Sequence, residues 1–464
     1  MDLRDRLKAM GVRPRVPGVP AQPPEGMGER TSAPENTERP ALDRLFSSGT
    51  TEQEQRNSPS RYLSGGMQHV VPTQTTIRFS QTAFRIDQAL PGKWHNTPEG
   101  PCYAVERRFP VGQARGPVHL GSVLHTRPTT LWDAGRATVL RDVDARRLLF
   151  LDTETTGLSG GTGTYVFLVG VAYFCESGDE LVVRQYFLSD VSEERALLHA
   201  LNDLFKEFTA IVTFNGKTFD WPLLETRFIY NRLRSVLRDP PHLDMLGPSR
   251  RLWKERLESC SLETLESQVL GVNRGFDVPG WRIPALYFQY LRAGHVGHLL
   301  PVFEHNEHDL LTLVALTGHV SHILDAPDEI DLHAAEWFGL GKLYEDLGRF
   351  SDSLRAYERG LTLCPSDIVR SATLRRLSFL YKHLQQREEA VAIWANLTEE
   401  GTHLMFPYLE LAKHYEHRAK DYVAAAEYTL MAQTRSTSAV ERAELERRLA
   451  RVQTKALKAA KGSG

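Results

Sequence analysis

Little in this 464-residue chain could staple it or anchor it to a membrane. Its four cysteines, Cys102, Cys175, Cys260 and Cys364, are scattered and form no Cys-x-x-Cys pair. That argues against a disulfide framework or a thiolate zinc site and fits a reducing cytosol. No apolar run approaches the roughly 18–20 residues that span a bilayer, and the opening MDLRDRLKAM has no apolar signal core. The expectation is a cytoplasmic protein with no membrane partner. An excess of charge of one sign is missing too. The 56 Lys and Arg residues nearly cancel 58 Asp and Glu, for a formal net charge of −2. A globally basic nucleic-acid coat is therefore ruled out, although a local basic groove is not.

What is present divides the chain in four, in keeping with a length that predicts about two to four domains. Residues 1–66 hold eight of the 25 prolines and no apolar period. Such composition buries too little surface to offset its ordering entropy, and predicts a disordered Pro-rich tail. Residues 67–145 alternate in short stretches such as HVVPTQTTIRF and CYAVERRFPV. They read as a small β-rich region, either a subdomain or a decoration on the next domain.

Residues 146–325 contain RLLFLD, TYVFLVGVAYF and ELVVRQYFL as strands, then a helix, the strand AIVTFN and further helices. Three strands, helix, strand, helix is the order of an RNase H-like mixed α/β sheet covered by helices. Residues 332–455 repeat. Trp337, Leu340, Gly341, Tyr344 and Pro365 follow the tetratricopeptide spacing, and anchor tyrosines at 344, 381 and 415 lie 37 and 34 residues apart. Three phased units predict a repeat domain that buries its own interfaces. A chain ending near residue 328 is thus expected to fold without it.

Three short motifs in the middle segment carry chemistry. In FLDTETTG, Asp152 and Glu154 stand two apart at the end of an apolar strand, so both project from one face. Burying two carboxylates together is costly unless a cation neutralises them, and hard oxygen donors suit Mg²⁺ or Mn²⁺. In VTFNGKTFDWPLL, Asp220 follows a buried strand at a helix start, where it could also serve only as a cap. In HNEHD, His305 and Asp309 are i and i+4 and share a helix face. Together the carboxylates can converge on two divalent ions that clamp a phosphodiester.

DTETTG, NGKTFDWPLL and HNEHD, in this order, resemble the three exonuclease motifs of the DEDD superfamily. The stretches GLSGGTGTYVFLVGVAYF, HLDMLGPSRRLWKERLESCSLETLE and DVPGWRIPALY look like the bacterial YprB-type family of RNase H-like proteins with C-terminal tetratricopeptide repeats. The resemblance implies that Asp152, Glu154, Asp220 and Asp309 are the metal ligands of a 3′–5′ exonuclease. It departs from this chain at one point. The histidine class places His five residues before the last Asp, and the tyrosine class places Tyr four before. Here His305 is four before Asp309, and Glu304 is five before. His305 is the expected general base or water orienter, with His308 as the competitor about 100° round the helix.

Weaker candidates surround these. Asn215 and Thr155 are candidate substrate contacts, and Asn215 could instead brace Asp220. The Ser159–Thr164 loop lacks a P-loop pattern. His242 and Asp244 read as a strand end near the site. Arg250, Arg251 and Trp253 in PSRRLWKER could grip phosphates and stack a base, or Trp253 could belong to the core. The expected partners are nucleic acid, DNA or RNA, and a protein docked on the repeats. The alternative is a scaffold that holds nucleic acid without cleaving it.

Overall fold

The computed structural model describes residues 86–157 and 163–462. The expected Pro-rich tail and most of the Ser159–Thr164 loop lie outside the described residues. The central sheet is built from β1 (Gly92–Thr97), β2 (Gly100–Pro110), β5 (Leu148–Thr155), β6 (Val166–Phe174), β7 (Glu180–Phe187), β8 (Ala210–Thr213) and β9 (His242–Asp244). A two-residue hairpin, β3 (Ala114–Arg115) with β4 (Val118–His119), stands apart.

Sheet order is β1-β2-β7-β6-β5-β8-β9, with β8 parallel to both β5 and β9 and the remaining pairs antiparallel. This is the expected RNase H-like mixed sheet. Every residue of β6 is buried, because helices cover both sheet faces, and such a strand must be apolar throughout. On one face α1 (Glu194–Phe205) packs Leu197, Leu201 and Leu204 against Phe167 and Tyr103. On the other, the long α6 (Leu300–Asp325) packs Leu310 and Val314 against Phe150 and Val212. Between them run α2 (Asp220–Tyr230), α3 (Leu246–Trp253), α4 (Leu262–Gln268) and α5 (Ile283–Ala293). The described part of the alternating segment, residues 86–145, adds β1 and β2 to the edge of this same sheet, while the expected strand HVVPTQTTIRF lies outside the described residues. There β2 pairs with β7 from Tyr103↔Phe187 to Pro110↔Glu180.

Three helical hairpins come next: α7 (Ala334–Asp346) with α8 (Phe350–Thr362), α9 (Asp367–His383) with α10 (Arg387–Glu399), and α11 (Met405–His414) with α12 (Tyr422–Gln433). The charged α13 (Ala439–Gly462) comes last. Small residues let the helices close. A Cβ on Gly341 would lie 2.4 Å from the Tyr357 ring, and Ser353 Oγ donates to the Gly341 carbonyl at 2.9 Å.

One expectation is corrected here. The first repeat helix is not independent of the sheet domain. Trp337, Leu340, Leu343 and Tyr344 belong to the same buried cluster as Leu252, Trp253 and Leu310. Trp253 Nε1 donates to Glu336 Oε1 at 2.6 Å, and a Cβ on Gly339 would lie 2.3 Å from the Arg251 carbonyl oxygen. A chain ending near residue 328 would strip apolar cover from α3 and leave the Trp253 indole N–H unpaired. Such a chain is expected to aggregate, whereas one ending near residue 366, after α8, stays soluble and melts cooperatively. Size-exclusion chromatography and calorimetry of the two fragments check this.

Candidate active site

The site forms where the end of β5 meets α6. Asp152 lies opposite Gly170 of β6, and the missing side chain there is what lets α6 approach. A Cβ at 170 would lie 2.1 Å from Asn306 Oδ1. The Asn306 amide fills that space. It accepts from Gln185 Nε2 at 2.9 Å and donates to Asp152 Oδ2 at 2.8 Å.

Asp220 opens α2 and is buried; its Oδ1 accepts from Thr153 Oγ1 at 2.5 Å. The turn before it is fastened by Asp244. That carboxylate accepts from the backbone N–H groups of Asn215 (2.8 Å), Leu246 (3.0 Å) and Lys217 (3.1 Å). Asn215 takes a left-handed φ of 64°, which Asn tolerates better than most residues. His242 is buried against Thr213 Oγ1 at 2.7 Å, and burial followed by the Lys217 charge lowers its pKa to about 4. It is therefore a neutral structural histidine.

From α6, His305 and Asp309 reach the same place. His305 Nε2 is 3.4 Å from Asp309 Oδ2 and 3.9 Å from Glu154 Oε1, while its Nδ1 is 2.9 Å from Asp277 Oδ1. Asp277 and Asp309 share Arg274, whose guanidinium donates to them at 3.0 and 2.5 Å. Behind Arg274, the buried Glu266 of α4 accepts from Arg274 and from Arg115, and from Thr312 Oγ1 at 2.6 Å. His308 lies on the Arg115 side of the helix. Burial, then the charges of Arg115 and Arg274, hold its imidazole below the usual range.

The charge balance is unfavourable. Burial pushes Asp152 well above the usual carboxylate range, and Asp309 and Asp220 push it further. Burial does the same to Glu154, reinforced by Asp152, Asp309 and Asp220. Among the described residues no hydrogen-bond donor reaches the Glu154 carboxylate. Asp220 is raised by burial to about 6, against the opposing hydrogen bond from Thr153. Asp277 is the exception. Burial raises it, but the hydrogen bond and charge of His305, then those of Arg274, outweigh this and keep it low.

These donors are hard oxygens with more negative charge than their cations offset, which fits a divalent cation in chemistry and in charge. Arg274 engages Asp309 and Thr153 engages Asp220. In this arrangement no three acidic, His or Cys side chains of the described residues gather round one point.

A stability consequence has a definite sign. A folded-state pKa of about 6 for Asp220 exceeds its unfolded value of 3.8. The contribution of this group to metal-free stability is therefore fully present below the lower value and is lost as pH rises to about 6. The loss is roughly 3 kcal/mol from this group. Mn²⁺ is expected to raise the melting temperature more at pH 8 than at pH 5. Asp220→Asn should raise metal-free stability at pH 8 and shrink the Mn²⁺ response. Thermal melts at both pH values check this.

A cavity of about 480 Å³ opens beside the carboxylates, lined by Asp152, Asp309, Asn215, Arg250 and Cys260 among others. Arg250 is exposed at its wall. The other two members of the expected basic patch are placed differently. Trp253 is fully buried and stacks on His319 at 6.2 Å, so it cannot stack a base. Its helix turns that face to the first repeat. Arg251 is half-buried, and burial, then the charge of Arg136, lowers its pKa. Thr155 is buried and donates to the Gly157 carbonyl at 2.9 Å, within its own turn.

Sequence reasoning did not single out Asp277, Arg274, Glu266, Gln185 or Asn306. Asp277 sits in DVPGW and Glu266 in SLETLE, stretches that carried the family resemblance without a role. A model described as the RNase H superfamily matches residues 149–321, and a tetratricopeptide repeat model matches residues 334–367. Over 328 residues the chain is 32% identical to "Uncharacterized protein YprB" of Bacillus subtilis (strain 168), covering 69% of this chain and 78% of that one. The chain belongs to the YprB family. In this YprB-family chain the superfamily match runs from β5 into α6, so it takes in Asp152, Glu154, Asp220, His305 and Asp309 alike. The family B DNA polymerase of Pyrobaculum calidifontis aligns with 46% of the chain and 29% of its own length, at 16% identity and a TM-score of 0.31. That likeness is too slight to bear on function. Among the described residues, no helix is long and apolar enough to cross a membrane.

Proposed function

We propose that this YprB-family protein is a divalent-metal-dependent nuclease that hydrolyses phosphodiester bonds, acting as a 3′–5′ exonuclease. The observation that carries this reading is the meeting of Asp152, Glu154, Asp220 and Asp309 with a carboxylate-held histidine beside one open cavity. The four carboxylates would hold two Mg²⁺ or Mn²⁺ ions, which when bound supply Lewis-acid charge to the attacking and leaving oxygens.

The chain's own residues supply the rest. His305 Nε2 faces Glu154 and Asp309, where it can take the proton of an attacking water. Asp277 accepts the Nδ1 proton and so fixes the tautomer that leaves Nε2 free. Arg274 offsets the charge of Asp277 and Asp309. Arg250 and Asn215 on the cavity wall can contact substrate phosphates.

The test is a product-length assay on single- and double-stranded DNA and RNA with Mg²⁺ or Mn²⁺. Each substrate is offered with a free or blocked 3′ end. Mononucleotide release that a 3′ block stops is the expected result. Internal fragments from end-blocked substrates would make the protein an endonuclease. Binding without products from any substrate would leave a scaffold.

A further inference from the structure

The repeat domain contains a second, unrelated polar site. A cavity of about 290 Å³ lies between α9, α10, α11, the turn after α11 and α13. Five basic side chains line it against one carboxylate, Glu410. Three of the five are already matched. Lys382 and Lys413 both hold Glu410, at 2.5 and 2.7 Å, and Arg448 pairs with the buried Glu416. Although burial raises Glu410, those two lysines outweigh it and keep the carboxylate low.

Arg387 and Arg418 are different. Neither makes an ion pair or hydrogen bond among the described residues. They are nonetheless close enough to the half-buried His414 to help hold its imidazole below the usual range, after burial itself. The two arginines thus leave about two positive charges unmatched over a neutral histidine. A third feature is independent of charge. Trp394 lines the same cavity, is 4% exposed, and its indole N–H has no partner. A buried donor without an acceptor is costly unless a ligand supplies one.

We propose that this cavity binds an acidic peptide, with its carboxylates taken by Arg387 and Arg418. The lining favours peptide over nucleic acid because it is mixed. Glu410, though held by Lys382 and Lys413, keeps a carboxylate among the cations that can still accept from a peptide N–H, and a peptide brings N–H groups as well as carboxylates. A phosphodiester backbone brings acceptors only and offers Glu410 no donor. This site owes nothing to the nuclease reading and survives its failure.

The test is fluorescence anisotropy with the full chain in EDTA. The probes are a labelled decapeptide of alternating Glu and Ala, its Gln counterpart, and a labelled deoxythymidine decamer. The Glu peptide should bind saturably and weaken as salt rises. The Gln peptide, and the Glu peptide on the double variant Arg387→Gln/Arg418→Gln, should each bind about 10–100-fold more weakly, the scale of one or two charge-assisted hydrogen bonds. Both arginines are at least partly exposed, so the double variant keeps its melting temperature. Trp394→Phe should weaken binding less. No saturable binding of the Glu peptide, or equal binding by the double variant, overturns the proposal. Displacement of the peptide by the decamer at lower concentration would give the site to a phosphodiester instead.

Discussion

Asp152→Asn and Asp220→Asn are each expected to reduce phosphodiester turnover by about 10³-fold or more. The metal's contribution to transition-state charge is worth several kcal/mol, and each 1.4 kcal/mol is a factor of ten. The substitutions keep the shape of each side chain and remove a charge whose burial is unfavourable. The variants should therefore be folded, and no less stable without metal at pH 8 than the unsubstituted chain. That pairing separates a ligand role from a structural one, because losing a structural carboxylate lowers activity and stability together. Circular dichroism melts beside single-turnover rates provide both readouts.

The second large effect concerns His305. His305→Ala should lose roughly 10²–10⁴-fold, the usual scale of general-base removal. His305→Tyr should keep more activity than His305→Ala, because a tyrosine at this spacing can still orient water. Asp277 acts through His305 and is a positioning residue. Asp277→Asn should cost about 10–100-fold, as for other groups that orient a functional imidazole, and should change the pH profile rather than substrate affinity. His308→Ala should leave the rate nearly unchanged, since that side chain lies toward Arg115. Single-turnover rates across pH decide the matter. A crippled His308→Ala beside a near-normal His305→Ala would reverse the assignment.

Local pattern made some of this legible. Apolar runs marked β5, β6 and β7, a two-residue spacing placed Asp152 and Glu154 together, and a four-residue spacing placed His305 with Asp309. The repeat phase came from small residues such as Gly341 that must meet large ones such as Tyr357. What stayed hidden depends on partners far apart in the chain. Nothing near Gly170 says that Asn306 will fill its missing side chain, 136 residues later. Asp277 looks like any loop aspartate until α6 brings His305 to it, and Arg274 needs α4 and α6 at once. Trp253 stood open between a base-stacking and a core reading for the same reason. Four basic neighbours suggest a phosphate grip, but the helix face that carries the indole is covered by the first repeat, which supplies Glu336 as its acceptor. Charge near an aromatic says nothing about which face is buried.

The most direct test of the central claim is nucleotide release from a 3′-labelled substrate by the purified full chain. It is measured with Mn²⁺ or Mg²⁺, with EDTA, and again after the metal is restored. The expected result is release that EDTA stops, that metal restores, and that Asp152→Asn lacks under every condition. Release that persists in EDTA, or in Asp152→Asn, would contradict it.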